Sequence, residues 1–91
     1  MQLDLNLLHV FLAVANAASF RAAADALGVT RSAVSQAIRR LEDHLGVTLV
    51  QRTTRSVRLT EAGHRLHHQV SSPLRAVAAA LEEAVDDGPP R

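Results

Sequence analysis

Residues 19–46 read "SFRAAADALGVTRSAVSQAIRRLEDHLG", and this stretch decides the fold. Ser19 and Thr30 are residue types that cap the N-termini of helices, whereas Gly28 and Gly46 are typical of the position after a helix ends. Between these boundaries apolar residues recur every three or four positions, as they do along the buried face of an α-helix. The stretch therefore predicts two helices that are joined across residues 28–30 alone.

The two faces of each predicted helix differ in chemistry. The apolar stripes comprise Phe20, Ala23, Ala24 and Leu27 on the first helix and Val34, Ala37, Ile38, Leu41 and Leu45 on the second. Alanines on a packing face allow a second helix to approach closely, and two helices joined by so short a turn match the helix-turn-helix pattern. Opposite its apolar stripe the second helix carries two serines, a glutamine and arginines, where an ordinary solvent face would favour Glu–Lys pairs.

The flanking segments predict one more helix and a hairpin. Before the central stretch, helical spacing over about residues 4–16 joins Leu5, Leu8, Phe11, Leu12 and Ala15. After it, residues 47–60 read "VTLVQRTTRSVRLT", in which β-branched residues are frequent and Val47, Leu49, Val57 and Leu59 alternate with polar residues. We expect two short strands with "RTTRS" at the tip, which together form a basic wing.

A long final helix begins after Thr60, with Glu61 in its first turn, where a negative charge suits the helix dipole. Its apolar stripe comprises Leu66, Val70, Leu74, Val77, Leu81 and Val85. A stripe of this length cannot all be buried within so small a chain, which predicts dimerisation through a partner helix. Pro73 predicts a kink in this helix or a break after Ser72. Residues 87–91 are predicted to be a flexible tail.

Composition excludes several classes of protein. The 91 residues suffice for one small domain, and the chain has no cysteine for a disulfide or a thiolate metal site. The N-terminus lacks the positive start of a secretory signal, and the longest apolar run is too short to span a bilayer. No nucleophile–base pair, carboxylate dyad or phosphate-binding glycine loop is evident. The sequence thus predicts a soluble cytoplasmic protein that is not an enzyme, with no cofactor, bound metal or membrane partner.

The charge is unevenly distributed although the formal net charge is only +1. Residues 19–65 contain eight arginines and four acidic residues, whereas residues 66–91 contain two arginines and four acidic residues. The basic middle coincides with the predicted helix-turn-helix and wing. That location favours a nucleic-acid partner.

Three stretches carry a resemblance to a known family: "LHVFLAV" at residues 8–14, "ASFRAAADALGVTRSAVSQAIRRLEDHLGVTLVQR" at residues 18–52 and "RSVRLTEAG" at residues 55–63. From about residue 3 to residue 85 the chain resembles the N-terminal winged helix-turn-helix DNA-binding domain of LysR-type transcriptional regulators. The resemblance implies a mainly α fold: a winged domain of three helices and a two-stranded wing at residues 1–59, followed by a linker and dimerisation helix at residues 60–86. Val50 departs from the family, which usually has a larger apolar residue there.

The resemblance also implies a function. We expect a homodimer that binds an inverted-repeat operator in double-stranded DNA and regulates transcription in a bacterium, in association with the nucleoid. Members of the family normally continue into an effector-binding domain of two α/β subdomains. We therefore expect this chain to be the DNA-binding part alone, with any small-molecule effector bound only in the missing C-terminal domain.

The candidate DNA contacts lie on the start of the second helix, on the exposed face of the third and on the wing. They are Ser19, Arg21, Arg31, Ser32, Ser35, Gln36, Arg39, Arg52, Thr53, Thr54 and Arg55. Gln and Arg match the hydrogen-bonding edges of bases in the major groove, and a wing arginine suits the negative potential of a narrow minor groove. Alternative interpretations remain: Gln36 as an ordinary exposed residue, Arg39 paired with Asp43, and Ser19 as an N-cap.

Two other functions stay open at this point. The chain could be a dimerising fragment that pairs with full-length relatives through residues 61–85 and modulates them without reading DNA. It could also be a metal-responsive repressor, because His64, His67 and His68 recur at helical spacing. We favour a solvated or dimer-facing histidine cluster, since only Glu61 lies nearby in sequence to complete a metal site.

Overall fold

The structure, a computed structural model, describes residues 4–53 and 56–86. Its elements are α1 (Leu5–Ala17), α2 (Phe20–Leu27), α3 (Arg31–Leu45), β1 (Val50–Arg52), β2 (Val57–Leu59) and α4 (Glu61–Asp86). This order confirms the predicted mainly α fold, with a helix-turn-helix, a two-stranded wing and a long last helix. The predicted tail at residues 87–91 lies outside the described residues.

The predicted helix boundaries are confirmed by their capping contacts. The Ser19 hydroxyl accepts the backbone N–H of Ala22 at 3.1 Å, and the Thr30 hydroxyl accepts that of Ala33 at 3.0 Å. Gly28 has a φ of 71°, a conformation that ends α2 and that residues with a side chain rarely adopt. Gly28 and the Thr30 cap keep the turn between α2 and α3 short, whereas the Ser19 cap fixes the start of α2.

The core lies where α1, α2 and α3 meet beneath the wing. Its largest fully buried side chains are Phe11, Ile38, Leu41, Leu49, Val14 and Val34. The predicted stripe of α1 was wrong at Leu5, which is 65% exposed, whereas Leu7 and Val14 are buried instead. The reason is that α1 contacts α2 and α3 on a side centred near Phe11, and Leu5 lies about 120° around the helix from Phe11.

The wing is an antiparallel pair in which Val50 faces Leu59, Gln51 faces Arg58 and Arg52 faces Val57. The predicted alternation was wrong at its start, because Val47 is 44% exposed and the strand begins only at Val50. Leu49 and Val50 are both buried, a pattern that a two-residue strand period does not produce. The chain enters the wing through residues 46–49, a loop with backbone N–H groups that donate hydrogen bonds to Glu42.

Helix α4 runs unbroken from Glu61 to Asp86. Of the two effects predicted for Pro73, the break after Ser72 was wrong, and the kink stays a prediction. Pro73 lies inside the helix and cannot donate a hydrogen bond to the carbonyl of Gln69. Both residues are exposed, and water can hydrate the carbonyl that the proline leaves without a donor. An exposed proline is therefore tolerated at this position.

The first turn of α4 packs tightly on the entry to the wing. The Thr60 hydroxyl accepts the N–H of Gly63 at 3.0 Å and donates to the carbonyl of Thr48 at 2.6 Å. A Cβ atom added at Gly63 would collide with the carbonyl of Leu49, so the close approach requires glycine.

The apolar stripe of α4 is divided between two environments. Leu66, Val70 and Leu74 are half-buried and pack against the core of their own chain. Val77, Leu81 and Val85 are 54%, 65% and 79% exposed. None of the helices in the described part of the chain has the length and apolar character that crossing a membrane requires.

Candidate nucleic-acid interface

The outer face of α3 presents a strip of polar side chains in its first three turns. Ser32, Gln36 and Arg39 are exposed and Ser35 is half-buried, while Ile38 on the opposite side is fully buried. The Gln36 amide nitrogen donates to the Ser32 hydroxyl over 3.4 Å. This hydrogen bond joins two residues that are one helical turn apart, and it leaves the Gln36 side-chain carbonyl oxygen available to a partner.

A groove of about 400 Å³ separates the start of α3 from the wing. It brings together predicted DNA contacts from both elements, and its polar lining comprises Arg31, Ser32, Ser35, Arg52 and Thr53. No acidic residue lines the groove among the described residues, so its two guanidinium groups give it a positive potential. The groove is a concave, positively charged surface that joins the helix-turn-helix to the wing.

Arg52 is held in this groove by an aromatic ring. Its guanidinium carbon lies 4.9 Å from the centroid of the Phe20 ring, within the range of a cation–π interaction. Phe20 is the first residue of α2, directly after the Ser19 cap. The wing arginine is thus positioned by the same turn that starts the helix-turn-helix.

Four predicted contacts among the described residues lie outside the groove, namely Ser19, Arg21, Gln36 and Arg39. Arg21 and Arg39 are exposed on α2 and α3, and neither lines it. The alternative interpretation of Arg39 is not realised, since no ion pair joins it to Asp43 in the described part of the chain. Ser19 acts as an N-cap through its hydroxyl, as its alternative interpretation held.

At the wing tip, Thr53 closes the hairpin through its side chain. Its hydroxyl donates to the Ser56 carbonyl at 2.8 Å and accepts the Ser56 N–H at 2.8 Å. The predicted contacts Thr54 and Arg55 lie outside the described residues. Thr53 therefore has a structural role in addition to its place in the groove lining.

Sequence reasoning missed the role of Glu42. One carboxylate oxygen of this half-buried residue accepts the N–H groups of Leu49 at 2.7 Å and of Val50 at 3.2 Å. One weak signal was present in the sequence, namely an acidic residue at the border of the apolar stripe, next to Leu41. Nothing in its spacing indicated that its partners lie seven and eight residues further on.

A second concave surface, the α1–α4 cleft, lies away from the groove. It has a volume of about 1390 Å³, and its apolar lining includes Leu5, Leu12, Val77 and Leu81. Leu5 and Leu81 are each 65% exposed. The cleft brings the exposed Leu5 of α1 together with the exposed Val77 and Leu81 of α4 on one surface.

All three histidines of α4 line the cleft: His64 and His68 are exposed, and His67 is half-buried and contacts α1. His67 Nε2 lies 3.0 Å from the Asn16 side-chain oxygen, a hydrogen bond that joins the two helices. Within residues 4–53 and 56–86, no group of three His, Cys, Asp or Glu side chains is placed to hold a metal ion.

Comparison with known proteins places this architecture in a family. The family model described as "Bacterial regulatory helix-turn-helix protein, lysR family" matches residues 5–64, which include α1, the helix-turn-helix, the wing and the start of α4. The chain belongs to this LysR family. The resemblance noted in the sequence is confirmed.

The relatives of the chain among curated proteins are transcriptional regulators. A probable hydrogen peroxide-inducible genes activator of Streptomyces viridosporus is 49% identical over 77 residues, which are 85% of this chain and 25% of the relative. The regulator PtxR of Pseudomonas aeruginosa is 44% identical over 84 residues, 92% of this chain and 27% of the relative. The chain thus spans about a quarter of the length of these relatives.

Solved structures agree with the fold. OxyR of Corynebacterium glutamicum superposes with a TM-score of 0.87 and 34% identity, covering 98% of this chain and 29% of that one. The DNA-binding domain of BenM, solved with catB site 1 DNA, gives a TM-score of 0.82 and 30% identity, and the match covers 96% of this chain and 100% of that one. The LysR-type winged helix-turn-helix fold is therefore established.

Proposed function

We propose that this LysR-type domain binds double-stranded DNA as a homodimer and reads an inverted-repeat operator to regulate transcription. In this proposal α3 enters the major groove, with Ser32, Ser35 and Gln36 towards base edges and Arg31 and Arg39 towards bases or phosphates. The wing lies along the neighbouring backbone or minor groove and contributes Arg52. Ser19 and Arg21 at the start of α2 face a phosphate.

The observation that supports this proposal most is the groove between α3 and the wing. It combines Arg31, Ser32 and Ser35 of the helix with Arg52 of the wing on one surface, and none of the described residues that line it is acidic. The same fold in BenM was solved with DNA, which supports the same kind of partner here.

Homodimerisation is supported by the exposed half of α4. Leaving Val77, Leu81 and Val85 in water is unfavourable by roughly 25 cal/mol for each Å² of apolar surface. A second α4 packed antiparallel against these residues would bury them and set two α3 helices about one turn of DNA apart. The proposed operator symmetry follows from that arrangement, because a two-fold dimer reads two half-sites of opposite direction.

Selection from a random duplex library with the 91-residue chain tests the proposal. We expect enrichment of an inverted repeat whose half-sites are about 10 base pairs apart. The enriched duplex should be bound with two chains per duplex in analytical ultracentrifugation. Recovery of no common sequence, or of a single half-site bound by one chain, would contradict the proposal.

A dimerising fragment that only modulates longer relatives is a second candidate, which the same exposed α4 residues favour. In that case the chain would form mixed dimers with a full-length relative and would not bind DNA by itself. Fluorescence anisotropy with random and palindromic duplexes separates the two candidates. Binding of the isolated chain to duplexes, with a preference for the palindrome, would exclude the fragment-only function.

A further inference from the structure

The connection from α3 to β1, residues 46–49, is organised by a single residue of α3. The backbone carbonyl of Glu42 accepts the N–H groups of Gly46 at 2.7 Å and Val47 at 3.3 Å. Its carboxylate accepts those of Leu49 at 2.7 Å and Val50 at 3.2 Å. Hydrogen bonds to a carboxylate are charge-assisted and stronger than those between neutral groups.

The carboxylate bonds fix where the wing begins. Val50 is the first residue of β1, and Arg52 is its last, so the anchored N–H groups lie two and three residues before the guanidinium that enters the groove. On the opposite side, the carbonyl of Leu49 accepts the N–H of Thr60 at 2.9 Å. The entry to β1 is thus held between α3 and the start of α4, and Arg52 reaches the Phe20 ring from a fixed strand.

The negative charge of Glu42 makes a supporting role in DNA binding unusual. An acidic residue close to DNA repels phosphates, so removing its charge ordinarily raises affinity for DNA. Asp43, the next residue, is exposed, and its carboxylate makes no hydrogen bond or ion pair within the described residues. Glu42 and Asp43 therefore carry the same charge at nearly the same place, but only Glu42 supports the wing.

We propose that the Glu42 carboxylate is a positioning residue for DNA binding, which acts by holding β1 so that Arg52 faces the groove beside α3. The inference rests on the proposed function, since it requires the wing to contact DNA. Glu42 itself touches no nucleotide in this account. Its effect on affinity should therefore depend on Arg52 and be independent of Gln36.

A double-mutant cycle tests the proposal, with fluorescence anisotropy at low salt and, as the probe, the labelled duplex enriched from the random library. Glu42→Ala should weaken binding about threefold to tenfold, in the range found for residues that act together, although it makes the chain more positive. The matched control Asp43→Ala should leave affinity unchanged or raise it. Glu42→Ala in an Arg52→Ala background should cause no further loss, whereas in a Gln36→Ala background the two losses should multiply.

Two further measurements separate positioning from general stability. Amide hydrogen exchange in Glu42→Ala should accelerate at Leu49 and Val50, while the amides of Gly46 and Val47 stay protected by the unchanged backbone carbonyl. Glu42→Gln keeps one acceptor oxygen and should restore part of the affinity. If circular dichroism finds Glu42→Ala unfolded, the same cycle is run with Glu42→Gln, whose loss should likewise vanish in the Arg52→Ala background.

Several outcomes would overturn the proposal. They are a Glu42→Ala affinity equal to that of Asp43→Ala, a loss that multiplies with Arg52→Ala, or an unfolded Glu42→Gln. Failure of the proposed function looks different, because then the wild-type chain would not bind the duplex. Binding by Arg52→Ala as tight as that of the wild type would overturn the positioning role of Glu42 and leave DNA binding through α3 intact.

Discussion

Helices α3 and α4 carry apolar stripes of similar spacing, but the stripe of α3 is buried whereas the second half of the α4 stripe is exposed to solvent. Along α3, Val34, Ile38 and Leu41 are fully buried. Along the second half of α4, Val77 and Leu81 are 54% and 65% exposed. Helix α4 has 26 residues and is about 39 Å long, so its end extends beyond the part that packs on α1.

The contrast teaches that a helical stripe predicts an apolar face but not which chain covers it. The stripe of α3 is covered by α1 and α2, which lie near it in sequence and are brought together by short turns. The exposed half of α4 has no such neighbour within the described residues. The apolar residues of this half of α4 can therefore be buried only by contact with another molecule.

The largest effect is expected from truncating a buried member of the α3 stripe. Ile38→Ala should lower the free energy of unfolding by about 2–5 kcal/mol, because it removes buried apolar contacts and leaves a cavity. Leu81→Ala should cost much less in chemical denaturation at protein concentrations low enough to keep the chain monomeric. Equal losses for the two variants would mean that the end of α4 is packed against its own chain.

The helices could be predicted from sequence because their caps and stripes are local. Ser19 and Thr30 cap as their residue types indicate, and Gly28 ends α2. The start of the wing could not be predicted, since the burial of Val50 depends on contacts with residues distant in sequence. The buried side of α1 was ambiguous because apolar residues occur almost all around it, and only tertiary packing selects Leu7 over Leu5.

The next effect concerns the exposed stripe itself. Leu81→Glu should weaken self-association by about 2–4 kcal/mol, because the proposed dimer would lose a leucine that it buries and would place a charge in its apolar interface. Ala79→Glu adds the same charge to an exposed position outside the cleft lining and is the matched control. Sedimentation equilibrium measures both. An unchanged dimerisation constant in Leu81→Glu would assign the exposed stripe to another partner.

A third effect tests whether the polar side of α3 reads bases. Gln36→Ala should cost about 1–3 kcal/mol per half-site and relax the sequence preference, since a bidentate contact to a base edge would be lost. Gln69→Ala, at an exposed position of α4, controls for the loss of a glutamine. The measurement is a binding-site selection followed by anisotropy titration. An unaltered preference in Gln36→Ala would assign Gln36 to the solvent-exposed surface.

The part of the candidate site that lies on α3 could be predicted from sequence, because its side chains share one face of a single helix. Helical spacing placed Ser32, Ser35 and Gln36 together, and the structure confirms that they share a face. The groove was not predictable, because Phe20 and Arg52 are 32 positions apart in sequence and meet only after the wing folds back. The anchoring by Glu42 has the same origin, namely a partner that local patterns do not reveal.

The smallest effect lies at the border between the packed and exposed parts of α4. There His67 Nε2 and the Asn16 side-chain oxygen are 3.0 Å apart, and Asn16 is exposed. Asn16→Ala should cost about 0.5–1 kcal/mol of unfolding free energy relative to Asn6→Ala, because a net hydrogen bond is lost. Both substitutions replace an asparagine of α1 with a better helix former, so their difference in thermal unfolding reports mainly the link to α4. If the two variants unfold alike, the exposed bond adds nothing to stability, and the apolar contacts of Leu66, Val70 and Leu74 account for the packing of α4 on its own chain.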